Sequence, residues 1–353
     1  MNPNETVLAI ESSCDESAIA IFDAGAGVLK SLVHTQIDLH ALYCGVVPDL
    51  ASSEHLKNLP LLLEIIVRDS DFEAGKIDKI VCTSGPGLAN CLAMGIASAA
   101  ALALYLKKPL FGANHLRGHA YSPFISEHAK NPGDFKRLYF DELLPHLGLL
   151  VSGGNSILFE ISKDGKMRTL CETLDDAAGE ALDKGAKLLG MPYPGAPMLE
   201  RAALGGDRKK FPFPRGSARK PEDDPDFSFS GLKTSLRYFL ERRGGAGSDL
   251  ADICASYQYA VFEQLRKRVE YFLGNKRYKS FGLSGGVANN STLRESLKNS
   301  AARAHCKFLP AEKKYCGDNA AMIAFSAWID PTALAKSSAF SLSIEPSRPL
   351  AEY

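Results

Sequence analysis

Two histidines are the first residues here whose type and spacing suggest chemistry. They lie in Asn114-His115-Leu116-Arg117-Gly118-His119, directly after the apolar, strand-like run from Pro109 to Ala113. If that segment opens a helix, His115 and His119 stand at i and i+4, one turn apart on one face. Two imidazoles so placed can reach one divalent metal. The spacing suits a pair of half-exposed helix histidines equally well, so a third donor decides. Asp318, in Tyr315-Cys316-Gly317-Asp318-Asn319, offers a carboxylate just before an apolar helical run, where it could also be an ordinary N-cap. Leu116 stands where the H-E-x-x-H metalloproteases carry glutamate, which leaves no general base beside the first histidine.

A chain of 353 residues has room for two domains of ordinary size, each with its own core. Hydrophobic residues at 45% and charged residues at 23% describe a soluble globular protein. The longest apolar run, Leu92 to Leu106, is Ala-rich and stops at Lys107-Lys108, too short and impure for an expected membrane span. The N-terminus lacks the basic and apolar regions of a signal peptide. The eight cysteines form no C-x-x-C pair and several sit in apolar runs, as reduced thiols do, so the expected location is cytoplasmic with no membrane partner. A formal net charge of zero carries no global nucleic-acid signature, so any RNA must be held by a local basic patch.

The elements that must position these residues read as two similar halves. In the first, strands at 6–10, 18–22 and 28–34 form a meander, with the polar turn Glu11-Ser12-Ser13-Cys14-Asp15-Glu16-Ser17 between the first two. A helix from about Ala51 to Val67 follows, then a strand at 79–83, the turn Ser84-Gly85-Pro86-Gly87, and an Ala-rich helix. In the second, strands at 147–151, 156–161 and 167–171 form another meander, broken by Ser152-Gly153-Gly154-Asn155. Later a strand enters Ser284-Gly285-Gly286-Val287, followed by a helix from Ser291 and a strand at 306–309. Glycines between a strand and a helix N-terminus suit close backbone approach to an anion, or simply a tight turn. The segment Gly205 to Asp226 is the most polar, with Arg208-Lys209-Lys210, Arg215 and Arg219-Lys220 around Phe211 and Phe213. It reads either as an RNA contact or as a solvated loop. The tail after Asp330 is expected to be lightly ordered.

This order predicts a duplicated actin-like ATPase (ASKHA: actin/Hsp70/sugar kinase) fold of α/β class, two domains with mixed sheets flanked by helices around a central cleft. The expected domains are 1–145, with the helix at 318–330 packing near it, and 146–317, leaving 331–353 as a tail.

Taken together, these motifs resemble the bacterial tRNA N6-adenosine threonylcarbamoyltransferase (TsaD) family. The resemblance is carried by Glu11 to Ser17, Gly45-Val46-Val47-Pro48, Gly85-Pro86-Gly87, Asn114-His115 with His119, and Ser152-Gly153-Gly154. It continues through Asp175-Asp176-Ala177-Ala178-Gly179-Glu180 with Asp183-Lys184, Tyr193-Pro194-Gly195, Phe229-Ser230-Gly231-Leu232-Lys233, Ser284-Gly285-Gly286-Val287 with Asn290, and Gly317-Asp318. It implies that His115, His119 and Asp318 hold one divalent metal per chain, iron(II) or zinc(II). It implies that Val151, Ser152, Gly153, Gly154, Asn155, Asp183, Gly195, Ala196 and Asn290 bind threonylcarbamoyl-AMP. Cys44, Asp49, Ser53, Asn155-Ser156 and Ala196 depart from the family's usual residues, and the loss of an Arg at Ser53 bears on anion binding.

The implied reaction is transfer of the threonylcarbamoyl group from threonylcarbamoyl-AMP to N6 of adenosine 37 in tRNAs reading ANN codons, releasing AMP. Asp15 or Glu16 is the candidate acceptor of the N6 proton, unless these are turn carboxylates bonded to backbone. The implied partners are tRNA, a paralogous TsaB-like subunit and a TsaE-like P-loop ATPase. The rival reading is an actin-fold sugar kinase or chaperone-like ATPase, which would need a Mg·ATP site and not the histidine pair.

Overall fold

Strand β1 (Thr6–Glu11) is buried at every position, as a central strand covered on both faces must be. In the computed structural model, which describes residues 1–69, 73–216, 226–337 and 342–351, it pairs antiparallel with β2 (Glu16–Asp23), and β2 with β3 (Gly27–Thr35). The chain then runs through α1 (Ile37–Ala41), α2 (Pro48–Val67), β4 (Lys79–Gly85), α3 (Ala89–Leu106), β5 (Leu110–Asn114), α4 (His115–Tyr121), α5 (Ile125–Lys130) and α6 (Phe135–Leu138). A second meander follows: β6 (His146–Val151), β7 (Ser156–Ile161) and β8 (Met167–Glu172). After it come α7 (Ala178–Leu188), α8 (Gly195–Ala202), α9 (Ser230–Arg243), α10 (Leu250–Asn275), β9 (Ser280–Ser284), α11 (Ser291–Arg303), β10 (Lys307–Pro310), α12 (Ala320–Ile329) and β11 (Ala335–Ser337).

These elements form two compact units, Met1–Tyr139 with Ala311–Glu352, and Phe140–Pro310. The first holds a sheet of order β11-β5-β4-β1-β2-β3, the second a sheet of order β10-β9-β6-β7-β8. Without β11 the two orders correspond strand for strand. Each has antiparallel meander pairs and parallel pairs beyond them, so both sheets are mixed.

In the first unit, Leu8, Ile10, Ile19 and Ile80 of the sheet pack against Leu59, Leu62, Ile66, Ala99 and Leu102 of α2 and α3. The α12 sequence AAMIAFSAWI is apolar all round and accordingly buried at every position. Its Phe325 and Trp328 join Phe22, His128 and Phe135 in an aromatic cluster.

Three expectations need correction. Helix α2 starts at Pro48, earlier than Ala51, because proline at the first helical position needs no hydrogen-bond acceptor for a missing N–H. The run ending at Leu106 belongs to an 18-residue helix, α3, that is long and apolar enough by composition to cross a membrane. Here, however, Cys91, Leu92, Gly95, Ala99, Leu102 and Ala103 turn inward. The tail is not loose: β11 pairs antiparallel with β5, and Glu345 N–H donates to Ser84 O at 2.8 Å. Apolar and backbone groups far apart in sequence drive this docking, which local composition does not reveal.

Candidate functional site

Asn114 ends β5 and begins α4. Its side chain accepts from the N–H groups of Leu116 (2.8 Å) and Arg117 (3.2 Å), capping the helix at the residue that puts His115 and His119 on one face. The tail secures this junction: Asn114 Nδ2 donates to Pro349 O at 2.6 Å, and Arg117 Nε to Leu350 O at 3.1 Å. Arg117 also pairs with Asp330, which accepts from Tyr121 Oη at 3.0 Å.

Asp318 is not a helix cap. Asn319 takes that role for α12, accepting from Met322 N–H at 2.9 Å, and the Asp318 carboxylate is left to face the histidines. Its Oδ1 lies 3.0 Å from His119 Nε2 and 3.5 Å from His115 Nε2. One donor atom from each of the three residues falls within 4.8 Å of the others. The two rings meet edge-on with centroids 4.8 Å apart.

The residue that pattern reading passed over is Glu11. It was visible only as the first letter of a polar turn, yet its side chain is fully buried. Its Oε2 accepts from Thr83 Oγ1 (2.5 Å) and lies 3.1 Å from His115 Nδ1, while Oε1 accepts from Ser13 N–H at 2.6 Å. Ser13 Oγ is also 3.1 Å from His115 Nδ1. A carboxylate on Nδ1 fixes the ring and its tautomer and leaves the Nε2 lone pair for a cation. This donor set, two Nε2 atoms and one carboxylate oxygen with open positions beyond, fits a catalytic divalent metal.

The electrostatics follow from burial of these groups together. Burial works to lower the His115 pKa, but Asp318 and Glu11 overcome it and raise it to about 9. Burial works to raise the Asp318 carboxyl, and the two histidines bring it down to about 2. Such an array of opposed charges, without metal, is the pattern expected of a functional site.

Asp15 and Glu16 sit in the same polar turn as Glu11, at the entry to β2. Burial first, then Asp318 and Asp15, push the Glu16 carboxyl up to about 10, although it accepts from Thr35 Oγ1 at 3.2 Å. His55 of α2 anchors this turn, with Nδ1 2.7 Å from Ser17 Oγ and Nε2 2.9 Å from Cys14 O.

The remaining candidate residues lie in the second unit. Val151 closes β6, and Ser152 N–H donates to Asn155 O at 2.8 Å, making a tight turn. Gly153 and Gly154 are exposed, and a Cβ on either would meet nothing within 4 Å. Gly179 and Gly285 differ: a Cβ there would come within 2.4 Å of Ser152 O and 2.3 Å of Val151 O. They bring the start of α7 and the loop after β9 against the same turn. Asp183 accepts from Ala196 N–H at 2.7 Å and also caps Gly195, and burial raises its pKa more than these bonds lower it. Ala196 occupies the first turn of α8 with no positive φ, so its methyl costs the backbone nothing. Asn290 caps α11, accepting from Leu293 N–H at 3.1 Å and donating to Gln258 Oε1 at 2.9 Å. Asp183 and Asn290 are thus both partly engaged in holding helix ends.

Of the basic segment, Arg219 and Lys220 lie outside the described residues. Arg208, Lys210, Phe211, Phe213 and Arg215 gather against α9 and α10.

Comparison with known proteins identifies the family. The family model described as TsaD: tRNA N6-adenosine threonylcarbamoyltransferase matches residues 27–325. A protein of that name from Aromatoleum aromaticum is 43% identical over 320 residues, covering 91% of this chain and 90% of that one. Another, from Herminiimonas arsenicoxydans, is 40% identical over 350 residues and 98% of each chain. Among solved structures, HypF of T. kodakarensis aligns with a TM-score of 0.59 at 14% identity, over 93% of this chain and 48% of that one. That last likeness is one of fold alone, and with the matching sheet orders it makes the architecture the duplicated actin-like one. On the family match and the identity across nine-tenths or more of its length, the chain belongs to the tRNA N6-adenosine threonylcarbamoyltransferase family.

Proposed function

We propose that this chain transfers the threonylcarbamoyl group of threonylcarbamoyl-AMP to N6 of adenosine 37 in tRNAs reading ANN codons. The N6 lone pair attacks the carbamoyl carbon, the bond from that carbon to the phosphate oxygen breaks, AMP leaves, and N6 loses a proton. The observation that carries the reading is the convergence of His115, His119 and Asp318 behind a buried Glu11, in a chain of this family. The relatives described above are transferases by name, and no finding favours a kinase or chaperone-like ATPase.

His115, His119 and Asp318 would hold one divalent metal, which we read as iron(II), with zinc(II) the alternative. When bound, it would supply Lewis acidity and orientation for the threonylcarbamoyl group. Glu11 would keep His115 turned toward it. The exocyclic amine is a weak nucleophile, so positioning carries much of the acceleration. Asp15 or Glu16 would take the N6 proton. Burial first, then Asp318 and Asp15, hold the Glu16 carboxyl high, and a cation shared with Asp318 would weaken the Asp318 part of that shift.

In the second unit, Val151 to Asn155 would carry the adenylate phosphate on backbone N–H groups, because the space beside Gly153 and Gly154 is open. Asp183, Gly195, Ala196 and Asn290 would hold the remainder of the nucleotide.

The reading also takes in partners. Leu56, Leu61, Ile65 and Val67 of α2, with Leu104 and Tyr105 of α3, are exposed on adjacent helices, an apolar face suited to a paralogous TsaB-like subunit. A TsaE-like P-loop ATPase and an adenylate-forming enzyme complete the set. The test is nucleoside mass spectrometry of an ANN-decoding tRNA incubated with the protein, metal, adenylate and partners. Absence of the modified nucleoside with every component present rejects the proposal.

A further inference from the structure

On the second unit, α9 and the chain preceding it enclose a pocket of about 540 Å³ that the reading above leaves without a role. Ser235, Tyr238, Phe239 and Arg242 line it at positions three and four apart, one face of α9. Phe211-Pro212-Phe213 supplies the facing wall. Phe211 and Phe213 meet the Phe239 ring edge-on, with centroids 4.9 and 5.4 Å away. The Arg243 guanidinium lies 5.2 Å from the Phe211 ring and 5.3 Å from that of Phe239. Tyr238 is 50% exposed. On either side of this wall in the chain, Arg208 and Arg215 both stack on Tyr259 of α10, at 5.2 and 4.9 Å.

Charge selects the occupant. Lys210 neutralises Asp249 and Asp252 at 2.8 and 2.6 Å, and Arg243 also pairs with Asp249. Arg208, Lys209, Arg215 and Arg242 have no ion-pair partner among the described residues, against Asp207 as the similarly unpaired acid nearby. Aromatic walls accept a π-face, and guanidiniums with free donor edges accept phosphate. A single-stranded nucleotide carries both.

We propose that this pocket binds an unpaired nucleotide of the tRNA other than the adenosine that is modified. Its base packs against Tyr238 and the Phe211, Phe213 and Phe239 rings, and its flanking phosphates meet Arg242, Arg208 and Arg215. None of these residues belongs to the metal or adenylate sets. The inference rests on the reading of the chain as a tRNA-modifying enzyme, but its test does not depend on turnover.

The experiment titrates fluorescently labelled ANN-decoding tRNA with the full-length protein at several salt concentrations, following anisotropy. Arg242→Ala is expected to weaken binding about 5-fold and lower the slope of log affinity against log salt by about one. Tyr238→Ala is expected to weaken binding about 10-fold with the slope unchanged, as lost stacking would. Both side chains are solvent-exposed, so urea midpoints should match the parent protein and exclude misfolding as the cause. In steady-state assays the KM for tRNA rises while that for the adenylate does not. Unchanged tRNA affinity in both variants overturns the assignment. So does loss of a partner protein with tRNA affinity intact, which would give the pocket to a peptide. A parent protein that binds tRNA through this pocket yet modifies none of it, with partners present, would refute the function and leave the pocket standing.

Discussion

The two units share a strand order, but the Gly85–Gly87 turn of the first and the Gly153-Gly154 turn of the second differ in what surrounds them. In the first, a Cβ on Gly85 would come within 1.9 Å of Glu345 O, and one on Gly87 within 2.6 Å of Ser13 O. Those glycines let backbone pack on backbone, locking the tail and the Glu11–Ser13 turn around the histidine helix. In the second, Gly153, Gly154 and Gly286 have nothing within 4 Å of a Cβ, and none has a positive φ. Among the described residues neither packing nor backbone geometry asks for glycine there, and the proposed adenylate contact would supply a physical reason. The duplicated frame carries a charge-filled cluster in one copy and, at this turn, an open backbone surface in the other.

The largest effect should come from the charged site. His115→Ala, His119→Ala and Asp318→Ala are each expected to lower bound metal to background and abolish tRNA modification, with far-UV circular dichroism unchanged. Elemental analysis of the purified variants checks this, and full occupancy in all three would remove the metal from the comparison. Glu11→Gln keeps the size of the side chain but not its charge. It should weaken metal binding by roughly 10–100-fold without abolishing it, as seen by competition with a chelator. Equal affinity in the variant and parent would reduce Glu11 to a packing residue.

The glycine contrast can be tested directly. Gly85→Ala should destabilise the protein by about 1–3 kcal/mol in urea unfolding, because backbone and not a flexible side chain must move. Gly154→Ala should stay within about 0.5 kcal/mol of the parent and instead weaken binding of a non-hydrolysable adenylate measured by calorimetry. Reversal of that pattern would break the distinction. Asp183→Ala should cost about 1 kcal/mol as a lost helix cap. A drop in adenylate affinity beyond that stability change would separate a ligand contact from a structural one.

A further effect concerns pH. The folded pKa of Glu16, about 10, lies above its ordinary value of 4.5, so the unfolded chain ionises first and unfolding releases a proton. Stability from this group therefore falls as pH rises from about 4.5 toward 10. Metal-free Glu16→Gln should be more stable than the metal-free parent at pH 8, with the gap closing below pH 4.5. A urea midpoint difference that does not change with pH would show that Glu16 titrates alike in the folded and unfolded states.

Much of the frame was readable in advance because it rests on local patterns. Alternating and continuous apolar runs marked both meanders, and the strand–glycine–helix order recurred in each half. The histidine spacing was legible because i and i+4 share a face wherever a helix forms, and the Asn114 cap that starts this helix emerged with the structure. The end of the chain was misjudged because its order comes from hydrogen bonds to Ser84, Asn114 and Arg117, more than 200 residues away in sequence. Glu11 was overlooked for the same kind of reason. In a linear reading it belongs to a polar turn, and only the parallel pairing of β1 with β4 brings it to Thr83 and His115.

The sequence by itself determined the family, the two α/β halves and the residue types able to bind a metal, since motif order and periodicity are written along the chain. Tertiary structure decided which partners within the chain several ambiguous residues meet. Asp318 faces the histidines because its neighbour Asn319 caps the helix, and Asp183 and Asn290 are drawn to helix ends that leave backbone N–H groups unsatisfied. A side chain with several acceptable partners chooses among them by which one folding brings within hydrogen-bonding distance, and that distance is set by contacts remote in sequence.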